Sequence, residues 1–145
     1  MLEVIALDPG VTTGVAHWLN GRLHTTAQLD QDMTGDWIHL AATDRQPGEL
    51  VVVCESYVVT AETLRKSRQT ASLEIIGAVK WLGHYHGFPV VMQQASSAKK
   101  FATDDRLRAA GWRQPSSMDH ANDALRHLLT YLVKARIMEV PRGEG

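Results

Sequence analysis

The sequence predicts a mixed α/β fold: a five-stranded sheet carrying one antiparallel hairpin and flanked by helices. Three observations predict it. The first thirty residues hold three β-like runs, the second and third joined by Asn20-Gly21. Two further apolar runs, 50–55 and 88–92, each follow a segment of helical character. The chain then closes on an amphipathic pattern over 118–136. Strands that alternate with helices build parallel sheets, whereas strands on either side of a two-residue turn pair antiparallel.

The elements follow in order. E-V-I-A-L-D (3–8) is apolar and β-branched, as a buried strand should be. T-G-V-A-H-W-L (13–19) and the alternating R-L-H-T-T-A-Q-L (22–29) flank Asn20-Gly21, two residues that tolerate positive φ. Residues 33–43 read as a modest helix, with Thr34 or Asp36 as its cap and Gln46-Pro47-Gly48 as its stop. L-V-V-V-C-E (50–55) is a second buried strand. Residues 61–83 read as a helix whose first third is polar and basic; Gly77 inside it marks either a weakened helix or a close packing contact. F-P-V-V-M (88–92) is the fifth strand. Residues 96–112 predict one helix, opened by serines suited to capping and ending near Gly111. The last helix has an acidic first turn, leucines at 125, 128, 129 and 132, and Lys134 and Arg136 near its end.

At 145 residues the chain suits a single domain, read here as 1–140 with a short tail at 141–145. Its one cysteine, Cys54, sits in an apolar strand, which excludes an internal disulfide and points to a reducing compartment. The reading expects neither a membrane span nor a signal peptide, and a cytoplasmic address. The net charge of −1 hides an asymmetry. Residues 1–60 carry two basic and eight acidic side chains; residues 61–145 carry thirteen basic and eight acidic. A basic half points weakly to a polyanionic partner.

The chemistry-bearing residues are carboxylates at element ends. Asp8 ends the first strand, before Pro9-Gly10, and is open to three readings: turn-former, phosphate-loop residue or metal ligand. Glu55 ends the fourth strand after V-V-V-C, an unusual place for a carboxylate. Asp123 lies one turn into the final helix, behind Asp119 and His120; Asp119 is also a natural helix cap. If the first and fourth strands are adjacent and parallel, Asp8 and Glu55 stand roughly 4.8 Å apart at one sheet edge. Carboxylates so close repel and raise each other's pKa unless a cation lies among them. Hard oxygen donors suit Mg²⁺ or Mn²⁺. Paired ions roughly 4 Å apart form a clamp for phosphoryl displacement.

Three stretches carry a resemblance: I-A-L-D-P-G-V-T-T-G-V-A, V-V-V-C-E-S and H-A-N-D-A-L-R-H. In this order and at this length they resemble the RNase H-like nuclease superfamily, and within it RuvC-type Holliday junction resolvases. A-K-K-F-A-T-D-D-R-L-R-A-A-G-W resembles a segment of the compact phage-like branch, and I-I-G-A-V-K-W-L in the middle helix is also family-like. Many members place aspartates three apart in the last motif; here His120 stands in the first of those places, as in some members. Imidazole can ligate a divalent ion, so His120 is preferred to Asp119 as fourth ligand. The resemblance implies an RNase H-like fold, a homodimer and Mg²⁺- or Mn²⁺-dependent cleavage of four-way junctions or other branched DNA. It implies that Asp8 bridges two ions, that Glu55 holds the nucleophile-side ion, and that Asp123 and His120 hold the other. Lys99 or Lys100 would meet the scissile phosphate, and Arg65, Lys66 and Arg68 would contact other phosphates. Two rival classes remain. An actin-like ATPase needs two lobes that 145 residues cannot supply. A non-catalytic junction scaffold gains nothing from clustered carboxylates. Fork, flap or structured-RNA substrates stay open within the nuclease reading.

Overall fold

β1 (Glu3–Asp8) lies at the centre of the molecule, all six of its residues buried. This is the environment that its unbroken apolar run requires, because a strand covered on both faces cannot alternate. The computed structural model describes residues 2–46, 48–57, 61–62 and 68–143, with only the backbone of Arg68 and Gln69. On one side β1 pairs antiparallel with β2 (Thr13–Leu19), which pairs antiparallel with β3 (Arg22–Leu29). On the other side it pairs parallel with β4 (Leu50–Ser56), which pairs parallel with β5 (Val90–Gln94). The strand order is β3-β2-β1-β4-β5. Asn20 and Gly21 turn the hairpin at φ 56° and 82°, the left-handed values that their side chains tolerate.

Two layers of helix cover the sheet. α1 (Gln31–Thr43) and α2 (Arg68–His86) lie on one face, where Ile5, Leu7, Val52 and Cys54 meet Ile38, Ile75, Val79 and Leu82. α3 (Ala95–Phe101), α4 (Asp104–Ala109) and α5 (Asp119–Lys134) lie on the other. There Val4, Ala6, Val51 and Val53 meet Leu107, Leu125, Leu128, Leu129 and Leu132. Period-2 alternation in β1 and β4 therefore assigns Asp8 and Glu55 to the α5 face, in step with Ala6 and Val53.

Several boundaries differ from the sequence reading, each for a local reason. α1 starts at Gln31 because Asp30 caps it, accepting from the Met33 amide at 2.8 Å; Thr34 sits inside the first turn and donates back to the Asp30 carbonyl. The fifth strand is shifted two residues on: Phe88 packs beneath the sheet and Pro89 offers only its carbonyl, to Val52. The single helix expected over 96–112 is two, because Thr103 caps a new start by accepting from the Arg106 amide, with Asp104 and Asp105 in the first turn. α4 ends at Ala109, and beyond its cap Ala110 the chain turns at Gly111, φ +75°, with the Trp112 amide bonded back to Leu107. α2 keeps Gly77 on its solvent face, and a Cβ there would meet nothing within 4 Å, so close packing is not its reason. No helix among the described residues is long and apolar enough to cross a membrane.

Candidate active site

The site is built where β1 and β4 end. Leu7 is level with Cys54 in the parallel register, so Asp8 and Glu55 occupy the next rung. Glu55 is in turn level with Gln93 of β5, and Asp8 is level with Gly14 of β2. The turn after Asp8 is closed by Thr13, whose hydroxyl lies 3.4 Å from the Gly10 amide and 3.3 Å from its carbonyl. Ser72 of α2 donates to the Pro9 carbonyl at 2.8 Å and ties the turn to the opposite layer. The threonines behind Asp8 are thus part of the device that holds the end of the strand.

α5 brings the remaining groups, and Gly14 lets it approach. A Cβ on Gly14 would stand 1.7 Å from the His120 carbonyl oxygen, so only glycine allows this close crossing. Gln28 of β3 fastens the same helix end: its side-chain oxygen accepts from the His120 amide at 3.1 Å, and its amide donates to the Ser117 carbonyl at 3.4 Å. This substitutes for a conventional cap, since Met118 holds the cap position without a side-chain bond and Asp119 is already helical. His120 then places Nδ1 3.2 Å from Asp8 Oδ2. A cleft of about 520 Å³ opens beside them, lined by Asp8, Pro9, Gly10, Thr12, His120 and Asp123.

Asp123 divides this cleft from a larger one of about 670 Å³, lined by Lys99, Asp104, Arg113, Asp119 and Arg126 among others. Arg126 lies 3.4 Å from Asp123 through Nε, 2.6 Å from Asp104 through Nη2, and donates to the Ala102 carbonyl at 2.8 Å. Asp119 sits in the larger cleft, accepts from Asn122 at 3.4 Å and lies 4.0 Å from Arg113; it is on the far side of Asp123 from Asp8. Lys99 lines the larger cleft and acts electrostatically on both Asp8 and Glu55, whereas Lys100 is exposed on α3 and lines neither cleft. Arg65 and Lys66 lie outside the described residues, and Arg68 opens α2 with its side chain undescribed.

The electrostatics separate the two strand-end carboxylates. Burial, followed by the adjacent Glu55 and then Asp123, pushes the Asp8 carboxyl up to about 8. Burial also acts to raise Glu55, but hydrogen bonds accepted from His127 and from the Asp8 carboxyl outweigh it and hold that carboxyl below its ordinary value. The pair therefore holds one proton between its members near neutrality. His127 is the surprise of the site. It is 1% exposed, with Nε2 3.1 Å from Glu55 and Nδ1 3.1 Å from Gln93. Its spacing of four from Asp123 makes it visible in the sequence as a neighbour, but only the register of β4 with β5 reveals its partners. Gly14, Gln28, Gln93 and Arg126 leave no such trace.

The donor set fits a divalent cation in chemistry: Asp8, Glu55 and Asp123 offer hard oxygens and His120 a nitrogen, and beyond the burial that raises Asp8 most, the repulsion from Glu55 and Asp123 is what a dication would relieve. Among the described residues, no three such side chains are drawn together as a closed cage.

No family model and no curated protein matches the chain in sequence. Solved structures do match in fold. T. thermophilus RuvC in complex with a Holliday junction substrate is 18% identical, covers 97% of this chain and 99% of its own, and superposes with a TM-score of 0.68. A second Thermus thermophilus RuvC structure is 20% identical, covers 94% and 96%, and gives 0.62. The chain has the RuvC, RNase H-like fold. At these identities the likeness is one of architecture, so activity rests on the site.

Proposed function

We propose that this chain is a divalent-metal-dependent endonuclease that cuts branched DNA, with the four-way junction as its substrate. The observation that carries the reading is that Asp8 and Glu55 each follow the last paired rung of two parallel strands, Leu7 with Cys54, with His120 3.2 Å from Asp8 and Asp123 on the same cleft. A buried acidic pair beside an open cleft is a poor phosphate binder by itself and a good one around a cation. Asp8, Glu55, His120 and Asp123 would hold Mg²⁺ or Mn²⁺, two ions per site. When bound, these ions supply a more acidic attacking water and neutralise charge on the leaving oxygen. The chain's own residues prepare the ground. Thr13 and Ser72 fix the Asp8 turn, Gln28 fixes the helix end that bears His120, and Arg126 holds Asp123. Lys99 lines the cleft beyond Asp123 and would meet a phosphate on the strand being cut.

A two-fold homodimer would present two such sites to the two strands of a four-way junction. α2 supplies a candidate face: Trp81 and Tyr85 are 59% and 66% exposed, and their rings stack at 5.2 Å, with Leu73 exposed on the same helix. The likeness to a RuvC solved with a Holliday junction favours this substrate over forks, flaps or RNA. The phage-like assignment rests on the 98–112 segment alone.

The test is cleavage of labelled four-way junction, fork, duplex, single-stranded DNA and structured RNA, with Mg²⁺, Mn²⁺ or chelator, by wild type and Asp8→Asn. Paired, metal-dependent nicks in the junction, absent from Asp8→Asn, are expected. Junction binding without cutting under either metal would make the protein a scaffold. Preferential cutting of forks or RNA would keep the site and replace the substrate.

A further inference from the structure

We propose that His127 is a positioning residue that holds the Glu55 carboxylate in its working orientation, with Gln93 holding His127 in turn. The inference rests on the nuclease reading of Glu55 and adds a residue to it. His127 lies in the middle of α5 among Ala124, Leu125 and Leu128, all fully buried, and is itself 1% exposed. An apolar side chain would fill that place at no polar cost, so a histidine there requires partners. It has one at each ring nitrogen: Glu55 Oε1 at 3.1 Å from Nε2 and the Gln93 amide at 3.1 Å from Nδ1. The two partners stand level on adjacent strands, so the imidazole spans β4 and β5 from above.

The chemistry of the groups gives the bond its direction. An ionised carboxylate only accepts, so Nε2 carries the hydrogen that points at Glu55. The Gln93 amide serves either state of Nδ1: its oxygen accepts from a protonated nitrogen, and the same amide turned over donates to a bare one. The arrangement thus fixes the ring without depending on its charge. Glu55 has one more side-chain torsion than an aspartate, and a free glutamate would spread over several rotamers. Between His127 on one side and Asp8 on the other, it is held in one. Asp8 is fixed differently, by a strand end, a tied turn and His120. Outer partners that orient an ion's ligands typically change its affinity by ~10–100-fold when removed.

The experiment compares wild type, His127→Leu, His127→Gln and Glu55→Gln. Mn²⁺ alone is titrated calorimetrically, single-turnover junction cleavage is timed, and Glu55 rotamers are read from side-chain NMR couplings in metal-free protein. His127→Leu is expected to weaken Mn²⁺ binding by ~10-fold or more. It should slow cleavage with junction affinity in chelator unchanged, and spread Glu55 over several rotamers. His127→Gln, whose amide nitrogen reaches the place of Nε2, is expected to recover most of each loss. Should His127→Leu fail to fold, Gln93→Leu, at the less buried end of the chain of bonds, is expected to give a weaker version of the same pattern. Unchanged Glu55 rotamers and Mn²⁺ affinity in a folded His127→Leu or Gln93→Leu would overturn the inference, as would a His127→Gln no better than leucine. Wild type that neither binds Mn²⁺ nor cuts, yet orders Glu55 only when residue 127 can donate, would remove the nuclease reading and leave the positioning role standing.

Discussion

β1 carries a buried carboxylate at each end, and the two are treated in opposite ways. Glu3, 1% exposed, faces the α1 and α2 layer and meets a permanent cation: Arg45 Nη2 lies 2.7 Å from its Oε2, and His17 Nε2 lies 3.3 Å from the same oxygen. Asp8, 8% exposed, faces the α5 layer and meets Glu55 and Asp123, with a histidine at its edge. The charge of Glu3 is paired inside the fold through Oε2, although its Oε1 is buried with no hydrogen-bond partner among the described residues. The cost of burying Asp8 is not offset in this way, and it surfaces as a carboxyl that keeps its proton up to about pH 8. The first is a structural ion pair with partial access to water through Arg45. The second belongs to the site that, in the proposed function, a cation would complete. Function lies where the fold declines to neutralise its own charge.

The largest effect expected is on catalysis: Asp8→Asn should cut metal-dependent junction cleavage by about 10³-fold or more, while Glu3→Gln stays within a few-fold of wild type, in single-turnover assays. Next comes Gly14→Ala. Its methyl would overlap the His120 carbonyl, which is rigid backbone, so the end of α5 must lift from the sheet. We expect a loss of about 3 kcal/mol in urea unfolding, with cleavage lost too as His120 leaves Asp8. Glu3→Gln follows. Stranding a fully buried cation costs roughly 3–5 kcal/mol, but Arg45 reaches solvent, so about 2 kcal/mol in thermal melts is the expected loss.

The smallest effect has a sign that separates the two ends. In chelator, Asp8→Asn should stabilise the protein at neutral pH. The unfolded carboxyl loses its proton near its ordinary value of 3.8, whereas the folded one keeps it to about 8. The folded state therefore binds the extra proton between these values, and wild-type stability falls as pH rises through that window. Glu55, held low, acts in the opposite direction above its own ordinary value and reduces the net effect. The gain in Asp8→Asn should be absent at pH 4 and reach about 1–2 kcal/mol by pH 8 in paired urea melts. Glu3→Gln should be destabilised at pH 8.

Much of this was legible in the sequence because it depends on one strand at a time. The apolar runs of 3–8 and 50–55, each closed by a carboxylate, implied buried strands; that their ends share one edge depended on their being parallel neighbours, which the register of β1 with β4 makes them. The order of elements and the hairpin at Asn20-Gly21 were equally local. What was not legible is set by partners far away in the chain. Gly14 looks like any turn glycine until α5 is laid across it. Gln28 is one of several polar residues on an alternating strand until it caps a helix ninety-two residues on. The break at Thr103 was missed because capping serines at 96 and 97 suggested one start rather than two, although Thr103-Asp104-Asp105 is itself a start signal. Asp119 and His120 are neighbours in sequence, and only the crossing angle of α5 sends one to the cleft beyond Asp123 and the other to Asp8.

We propose above that Asp8 belongs to a site that a cation completes. The most direct measurement is the melting temperature of wild type, Asp8→Asn and Glu3→Gln at pH 7.5, in chelator and across an Mn²⁺ titration. An ion that binds the folded state raises the midpoint by mass action, so wild type and Glu3→Gln should rise by several degrees and Asp8→Asn should stay flat. A wild type indifferent to Mn²⁺, or an Asp8→Asn that rises alongside it, would mean that Asp8 holds no cation.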